Sequence, residues 1–333
     1  MHSTAVIITV VIVVLSLAFD FINGFHDTAT AVATTITTRA LKPKTAILLC
    51  AVFNFIGAFT GTAVAKTVGD DIVSNKYMPQ WVLIGVLIAC IIWNLLTWYF
   101  GIPSSSSHAL IGSLIGGGIV YNRSFAVVQW SNVFNHVIVW LVLGPAIGFA
   151  LGYIIMVALN WILKPFKPRF VNRLFQKLQI LASAFMALNH GGNDAQKSMG
   201  IITMALLSGG FISTFEVPDW VMAACALAMA LGTSIGGKKI IKTMGSGMAK
   251  LTPVSGFAAQ MGAATSILGA TLFHAPVSTT QVITTTIMGV GASKNVKSVK
   301  WGVAKNIIWA WILTVPLSAI ISGIVVEILK FII

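Results

Sequence analysis

Two short polar motifs each occur twice in this chain, and all four copies are surrounded by apolar sequence. Residues 23–27 (NGFHD) return as residues 190–194 (HGGND), and residues 103–108 (PSSSSH) return as residues 276–281 (PVSTTQ). Acidic residues, glycine and proline are costly in a hydrocarbon environment. A membrane chain that carries them twice, at offsets of 167 and 173 residues, is predicted to consist of two related halves that share one central site.

The composition is that of a polytopic membrane protein. Of the 333 residues, 57% are hydrophobic and 9% are charged, whereas a soluble domain carries roughly 25% charged residues. A membrane-spanning helix needs about 20 apolar residues, and the sequence supplies roughly ten such segments. The first apolar run, residues 4–19, follows no basic segment and precedes no convincing cleavage site. We therefore interpret it as the first span and not as a signal peptide.

The apolar segments give the following predicted spans. In the first half they are 4–22, 45–65, 81–101, 108–121 and 131–160, with 27–38 continuing the first span after a break. In the second half they are 178–207 (broken near 189–194), 219–237, 254–273, 277–292 and 301–329. The 108–121 and 277–292 segments are short for full crossings, and the alternative is that they are arms of re-entrant hairpins.

The basic residues predict an orientation. With the N-terminus outside, most of the 21 lysines and arginines fall in loops on the inner side. Five crossings per half is an odd number, so the second half should be inverted relative to the first. We expect an all-α polytopic membrane protein of about 10–12 transmembrane helices or half-helices, in two inverted-topology repeats with broken helices and possible re-entrant hairpins. The repeats are predicted at 1–160 and 178–333, with a basic cytoplasmic linker at 161–177 and both termini outside.

Several function classes lack support in the sequence. The net charge of +13 would indicate nucleic-acid binding in a soluble protein, but here the basic residues lie in loops between spans. Cys50, Cys90 and Cys225 are isolated in apolar segments, which indicates neither a disulfide framework nor a zinc site. The sequence has no nucleotide-binding Lys-Ser/Thr motif, and it shows no nucleophile–base pair typical of an enzyme.

Asp27 and Asp194 are the sharpest candidates for binding a coupling cation. Each follows a glycine-containing break in the predicted spans and precedes a helical segment. A carboxylate is favoured at a helix N-terminus, and unwound carbonyl groups beside it would offer oxygen ligands. The alternative is that each Asp only caps its half-helix. Its presence twice inside the membrane favours a function, and Asn23 and Asn193 could add further oxygens.

Other polar residues in apolar segments are weaker candidates. Asn54 and Gln260 could contact the cation, or they could form hydrogen bonds between helices. Lys197 lies three residues after Asp194 and could neutralise that acid or help to hold an anion. Asp20 and Glu327 lie nearer the ends of predicted spans and receive no role. The candidates for a proton relay or an anion contact are His26, His108, Gln281 and Lys197.

The hydroxyl-rich segments predict an anion site. Each follows a proline and precedes a helix, where free backbone N–H groups and hydroxyls can hold an anion. Two such termini from inverted halves could converge on one tetrahedral oxyanion, although plain N-capping is the alternative. The candidate ligands are Ser104, Ser105, Ser106, Ser107, Ser278, Thr279 and Thr280, with Asp27 and Asp194 as acceptors for a protonated anion.

These motifs resemble the inorganic phosphate transporter (PiT) family, also called the phosphate permease family. Its duplicated Gly-x-Asn-Asp signature is matched fully at residues 191–194, and with His26 in place of Asn at residues 24–27. The first variant and residues 195–197 (AQK) look like the bacterial low-affinity phosphate permeases. The family's Pro-x-Ser-x-Thr-His element resembles residues 103–108, with Ser107 for Thr, and residues 276–281, with Gln281 for His.

The resemblance covers nearly the whole chain and implies a function. It implies a secondary symporter in the bacterial inner membrane that imports inorganic phosphate, driven by protons or sodium, with no cofactor and as a homodimer. The family's two aspartates map onto Asp27 and Asp194, and its Ser/Thr element maps onto Ser105 and Ser278. Two family carboxylates linked to sodium coupling fall on the neutral Asn54 and Gln260. These departures favour protons over sodium.

Two other transport functions remain open from the sequence. A sulfate permease of the same family is the nearest, because sulfate and phosphate have the same shape. Protonated phosphate can donate a hydrogen bond to Asp27 or Asp194 and sulfate cannot, which favours phosphate. An anion channel is the other alternative, and the buried acidic residues argue against an open pore. The sequence leaves open whether a divalent metal accompanies the phosphate.

Overall fold

The computed structural model describes residues 2–246 and 248–332, and their regular secondary structure is helical. The helices of the first half are α1 (His2–Thr37), α2 (Pro43–Gly57), α3 (Ala63–Gly69), α4 (Gln80–Phe100), α5 (Ser106–Asn122), α6 (Trp130–Asn132) and α7 (Val139–Leu163). A π-helical segment, Val133–Ile138, joins α6 and α7 into one helical stretch. The helices of the second half are α8 (Pro168–Ser208), α9 (Asp219–Ile235), α10 (Lys238–Ser246), α11 (Pro253–Leu272), α12 (Thr279–Ala292) and α13 (Trp301–Leu329).

The predicted all-helical membrane class is confirmed. Within the described residues, four helical stretches are long and apolar enough to cross a membrane: Ala5–Thr37, Gln80–Phe100, Trp130–Leu163 and Trp301–Leu329. A fifth span would be the pair Asp219–Ile235 and Lys239–Gly245, which is bent by 78° at a short break. The other predicted spans correspond to shorter or more polar helices, such as α2 and α8.

The two breaks predicted in the long helices, after residue 22 and near residues 189–194, are wrong. Helices α1 and α8 each run through their motif without interruption. The glycines allow close helix contacts instead: a Cβ on Gly24 would lie 2.4 Å from the Met229 carbonyl oxygen, and one on Gly191 would lie 2.2 Å from the Asn54 carbonyl oxygen. Asp27 and Asp194 therefore lie inside continuous helices, where the backbone groups are already used in hydrogen bonds.

A break does occur within the predicted span 45–65. Helix α2 ends at Gly57 and α3 begins at Ala63. The equivalent pair in the second half, α9 and α10, is the bent pair, so both halves interrupt the same element.

The helices of one half pair with those of the other. Helix α1 packs on α9 while its counterpart α8 packs on α2, and α5 packs on α13 while its counterpart α12 packs on α7. The short helices follow the same rule, since α3 packs on α8 and α10 packs on α1. The two halves therefore interlock around the two long helices. The inverted orientation of the repeats and the linker at 161–177 stay predictions.

Two helical hairpins, α4–α5 and α11–α12, meet at their tips. The Ser107 hydroxyl donates to the Val277 carbonyl oxygen at 2.9 Å, and the Gln281 amide lies 3.2 Å from His108 Nδ1. Gly101 and His274 occupy equivalent places in the tips, and both have left-handed backbone, with φ of 69° and 59°. The burial of these tip contacts supports the alternative that α5 and α12 are arms of re-entrant hairpins.

Asp71, in the loop after α3, gives a pH-dependent stability prediction. Burial raises the pKa of this half-buried carboxyl group, and the neighbouring Asp70 raises it further. Because the folded-state pKa is raised, the contribution of Asp71 to stability is complete below the unfolded pKa and is lost as the pH rises through the folded pKa. We expect the melting temperature of Asp71→Asn to exceed that of the wild type at pH 7 and to equal it below about pH 4. Thermal unfolding in detergent at both pH values checks this, and an equal difference at both would contradict it.

Candidate functional site

The two motif aspartates meet at the centre of the molecule. One carboxylate oxygen each of Asp27 and Asp194 and one ring nitrogen of His190 lie within 4.8 Å of one another. Asp27 is 2% exposed, and Asp194 and His190 are fully buried. The acids come from α1 and α8, the equivalent long helices of the two halves. The structure thus brings together residues 167 positions apart and closes them off from solvent.

Asp27 accepts hydrogen bonds from both hairpins. The Ser106 hydroxyl donates to Oδ2 at 3.1 Å, and the Thr280 hydroxyl donates to Oδ1 at 3.0 Å. His26 Nδ1 also contacts Oδ1, at 2.7 Å. An ionised carboxylate can only accept hydrogen bonds, so both hydroxyl protons point at Asp27. Hydroxyls of both hairpin tips therefore contact one carboxyl group of α1.

Asp194 has a different set of partners. Its Oδ1 forms an ion pair with Lys197, which is 1% exposed. Its Oδ2 accepts from the Thr279 hydroxyl at 3.3 Å and from the Asn23 amide at 3.5 Å. The neutralising role considered for Lys197 is the one seen in this conformation. Asp194 carries a cationic partner, whereas Asp27 is held by hydroxyls and a histidine.

The site is pseudo-symmetric, and the symmetry fails at one hydroxyl. Ser106 and Thr279, which occupy equivalent positions, each donate to the aspartate of their own half. Thr280 reaches across to Asp27, but its counterpart Ser107 donates to a backbone carbonyl of the opposite hairpin. The two aspartates are therefore not chemically equivalent.

The residues flanking the aspartates continue this partial symmetry. His26 Nε2 lies 3.1 Å from the Thr97 hydroxyl, and the Asn193 amide donates to the Thr271 hydroxyl at 2.9 Å. Thr97 and Thr271 are themselves equivalent, near the ends of α4 and α11. Neither threonine was singled out from the sequence, because isolated threonines are common in membrane helices.

Besides Ser107, three of the predicted anion ligands hold the hairpin backbone or a neighbouring side chain. The Ser105 hydroxyl accepts from the His108 N–H at 3.1 Å, and the Ser278 hydroxyl accepts from the Gln281 N–H at 3.3 Å. These are N-cap hydrogen bonds, the alternative that the sequence left open. Ser104 donates to the Thr97 hydroxyl at 2.9 Å. The hydroxyls directed at the acids are instead those of Ser106, Thr279 and Thr280.

Asn54 fixes the orientation of His190. The Asn54 amide nitrogen donates to the Thr233 hydroxyl at 3.0 Å, which leaves Oδ1 as an acceptor 3.1 Å from His190 Nδ1. In this amide orientation the imidazole Nδ1 must carry the proton. Nε2 then faces Asp194 Oδ2 at 3.2 Å, without hydrogen-bond geometry. His190 offers a lone pair to a cation, or forms an ion pair with Asp194 when the ring is protonated.

His190 was missed from the sequence, although a signal for it existed. It opens the second copy of the first motif and stands where the first copy has Asn23. It also precedes Asp194 by four residues, a spacing that puts two side chains on the same face of a continuous helix. The predicted break near 189–194 concealed this relation.

The Gln260 amide nitrogen bonds to helix α1 and not to either aspartate side chain. It donates to the Ala31 carbonyl oxygen at 2.7 Å and to the Thr35 hydroxyl at 2.8 Å. These bonds tie α11 to α1, as the interhelical alternative for Gln260 predicts.

The site offers ligands for both a cation and an anion. The carboxylates and the buried oxygens of Asn23 and Asn193 suit a hard cation such as sodium. Within the described residues, neither of those two amide oxygens has a hydrogen-bond partner. The hydroxyl groups of the hairpin tips can donate to an oxyanion. Cation ligands and hydroxyl donors for an anion therefore lie among the same group of side chains.

Comparison with known proteins gives a consistent result. Residues 23–322 match the phosphate transporter family. A probable low-affinity inorganic phosphate transporter of Bacillus subtilis (strain 168) is 49% identical over 329 residues, 98% of each chain. Another, of Rhizobium meliloti (strain 1021), is 43% identical over 315 residues, 94% of each chain. A solved structure described as the sodium-dependent phosphate transporter has the same fold, with a TM-score of 0.88 at 24% identity over 98% of this chain and 100% of that one.

Proposed function

The chain belongs to the phosphate transporter family, and from this premise we propose that it is a secondary active symporter that imports inorganic phosphate. The observation that carries the proposal is the contact of hairpin hydroxyls with two buried acids. Ser106 and Thr280 donate to Asp27, and Thr279 donates to Asp194. The names of the similar bacterial proteins, probable low-affinity inorganic phosphate transporters, support phosphate as the substrate.

Phosphate would bind between the hairpin tips and the acids. Its oxygens would take the hydroxyl donors that now point at the carboxylates. A protonated phosphate can donate its own P–OH to Asp27 or Asp194 in return, whereas sulfate at neutral pH has only acceptors. A hydroxyl-and-carboxylate site therefore supports phosphate over sulfate.

The coupling cation would be needed because phosphate and the two carboxylates repel one another. Unit charges about 4 Å apart interact by about 4 kcal/mol at an effective dielectric constant of 20. Lys197 supplies one positive charge, and a proton or sodium ion at Asp27 or Asp194 would supply another. Phosphate and cation would then each raise the affinity of the other, which is the thermodynamic basis of symport.

We favour protons as the coupling ion. Asn54 and Gln260 are neutral, and their amide nitrogens are used in hydrogen bonds to Thr233 and α1. They cannot supply the negative charge that family carboxylates at these places would give to a sodium site. The buried histidines His26 and His190 place ring nitrogens beside the acids, and such nitrogens can accept or donate a proton.

The same proposal covers the transport mechanism, the membrane in which the protein lies and its oligomeric state. The two interlocked halves would exchange conformations around the fixed aspartates. The distribution of lysine and arginine supports a bacterial inner-membrane protein with both termini outside. We also propose a homodimer, and a metal–phosphate complex remains an alternative form of the substrate.

Uptake of labelled phosphate into vesicles tests this function. One pH unit is worth about 1.4 kcal/mol per proton, so one-proton coupling should accumulate phosphate roughly 10-fold under a gradient of one unit. A sodium gradient should be imposed separately, with sulfate as a competitor in each case. Equal competition by sulfate would point to a sulfate permease. Equilibration without accumulation under either gradient would point to a channel.

A further inference from the structure

A third acidic residue lies fully buried outside the site described above. Asp20 is on α1, seven residues before Asp27, so the two are roughly 10 Å apart along the helix axis. It is 0% exposed. The sequence-based view that Asp20 lies near the end of a span is wrong, because α1 runs without a break from His2 to Thr37. Asp20 therefore lies buried in the middle of a long helix.

The carboxyl group of Asp20 is poorly satisfied. Within residues 2–246 and 248–332, neither of its oxygens has a partner at full hydrogen-bond geometry. The side chains that approach it are Ser198 on α8 and Cys225 on α9. By the same geometry, and in the same part of the chain, the fully buried hydroxyls of Ser198 and of Ser16, one turn earlier on α1, also lack a partner. An ionised carboxylate is strongly disfavoured in such a place unless a cation neutralises it.

The one cation that faces Asp20 in the described part of the chain is already paired. The charged or titratable groups that face Asp20 from the packed helices are Asp194 and Lys197 on α8 and Cys225 on α9. Lys197 forms its ion pair with Asp194, so it acts on Asp20 only at longer range. A cation or a proton from outside the chain would balance the Asp20 carboxylate directly.

A row of unpartnered oxygens connects Asp20 with the central site. Ser16, Asp20 and Asn23 follow one another at spacings of four and three, so they lie along one face of α1. Each has a buried oxygen without a hydrogen-bond partner in the described part of the chain. Asn23 ends the row, and its amide donates to Asp194. A small cation that neutralises Asp20 is thus next to a path of oxygen ligands toward Asp194.

We propose that Asp20, with the hydroxyls of Ser16 and Ser198, forms a second binding site for a monovalent coupling cation, a proton or a sodium ion. The proposal rests on the symport function above. With a proton, the only bond formed and broken is the O–H bond of the Asp20 carboxyl. With sodium, the carboxylate and the two hydroxyl oxygens are ligands. Asp20 lies roughly 10 Å along α1 from Asp27, so its cation adds to the driving force without being a ligand of the phosphate.

The test separates phosphate exchange from gradient-driven accumulation in vesicles. We expect Asp20→Asn to keep exchange of labelled for unlabelled phosphate within roughly 2-fold and to lose accumulation by roughly 10-fold or more. Asp20→Glu should restore accumulation. Glu327→Gln is the matched control, because that carboxylate is partly exposed and paired with Arg123. If Asp20→Asn abolishes accumulation driven by a proton gradient, the cation is a proton. If it abolishes accumulation driven by a sodium gradient, the cation is sodium.

A second variant covers the case in which Asp20→Asn does not fold. Ser198→Ala keeps the carboxyl and removes one oxygen, so the cation concentration for half-maximal uptake should rise roughly 5-fold, with KM for phosphate unchanged once the cation is saturating. Wild-type accumulation in folded Asp20→Asn, loss of exchange together with accumulation, or unchanged cation dependence in Ser198→Ala would each overturn the proposal. A wild-type protein that accumulates phosphate under neither gradient would instead refute the symport function.

Discussion

The Asp27→Asn variant is expected to reach the membrane in normal amounts and to lose gradient-driven phosphate uptake. Asparagine has the same shape and keeps one acceptor oxygen, so the helix and its contacts should survive. It lacks the charge that attracts a coupling cation. Removing one partner of a buried charge pair costs roughly 2–5 kcal/mol, and about 1.4 kcal/mol is a factor of ten. The expected loss of uptake is therefore on the order of 100-fold.

The counterpart Asp194→Asn should also lose uptake, but it needs a companion variant. The change leaves Lys197 buried without its partner, a defect that typically costs roughly 3–5 kcal/mol of folding free energy. The double variant Asp194→Asn with Lys197→Gln removes both charges and should fold better than the single variant.

The control for both aspartate variants is Asp219→Asn, an exposed acid at the start of α9. Uptake of labelled phosphate, corrected for the amount of protein in the membrane, is the measurement. Wild-type rates in Asp27→Asn would exclude that residue as a cation ligand.

The second large effect is expected on folding, at two equivalent glycines. A Cβ on Gly232 would lie 1.9 Å from the Phe21 carbonyl oxygen, and a Cβ on Gly57 would lie 2.0 Å from the Leu188 carbonyl oxygen. Both obstacles are backbone atoms of the long helices α1 and α8, which cannot move aside as a flexible side chain can. We expect Gly232→Ala and Gly57→Ala each to cost about 3 kcal/mol or more and to lose most of the folded protein.

Gly269→Ala is the matched control for the two glycines. It lies in helix α11, and nothing would come within 4 Å of its Cβ apart from its own helix backbone. Alanine should stabilise this helix by up to about 1 kcal/mol. Size-exclusion profiles and thermal unfolding in detergent distinguish the outcomes. Normal yields of Gly232→Ala would show that α1 and α9 lie farther apart than the structure has them.

The helical membrane class and the approximate positions of most helices could be predicted from the sequence, because apolar runs are local signals. The continuity of α1 and α8 through the two motifs could not be predicted in this way. A glycine in an apolar segment indicates either a break or a close helix contact, and only the neighbour distinguishes them, as Asn54 does for Gly191. Once continuous helices are known, His190 and Asp20 become visible as residues on the same faces as Asp194 and Asp27.

Which hydroxyls cap a helix and which donate to an aspartate could also not be predicted without the structure. Ser105 and Ser106 are neighbours in the same motif, yet the first caps α5 and the second donates to Asp27. Their roles depend on the helix phase at which α5 begins, and element boundaries are the least reliable part of a sequence prediction. The different partners of Asp27 and Asp194 depend likewise on tertiary contacts across the two halves.

The exchange of helix partners between the halves has a consequence for biosynthesis. Helix α1 can pack on α9, and α5 on α13, only after those later helices have been synthesised. The hydrogen bond between His108 and Gln281 closes a loop of 173 residues. Such distant contacts make late steps slow, because the chain entropy must be lost before the contacts form. The central site therefore cannot be complete before α12 has been synthesised, and until then the faces of the first-half helices that pair with the second half are left for lipid to cover.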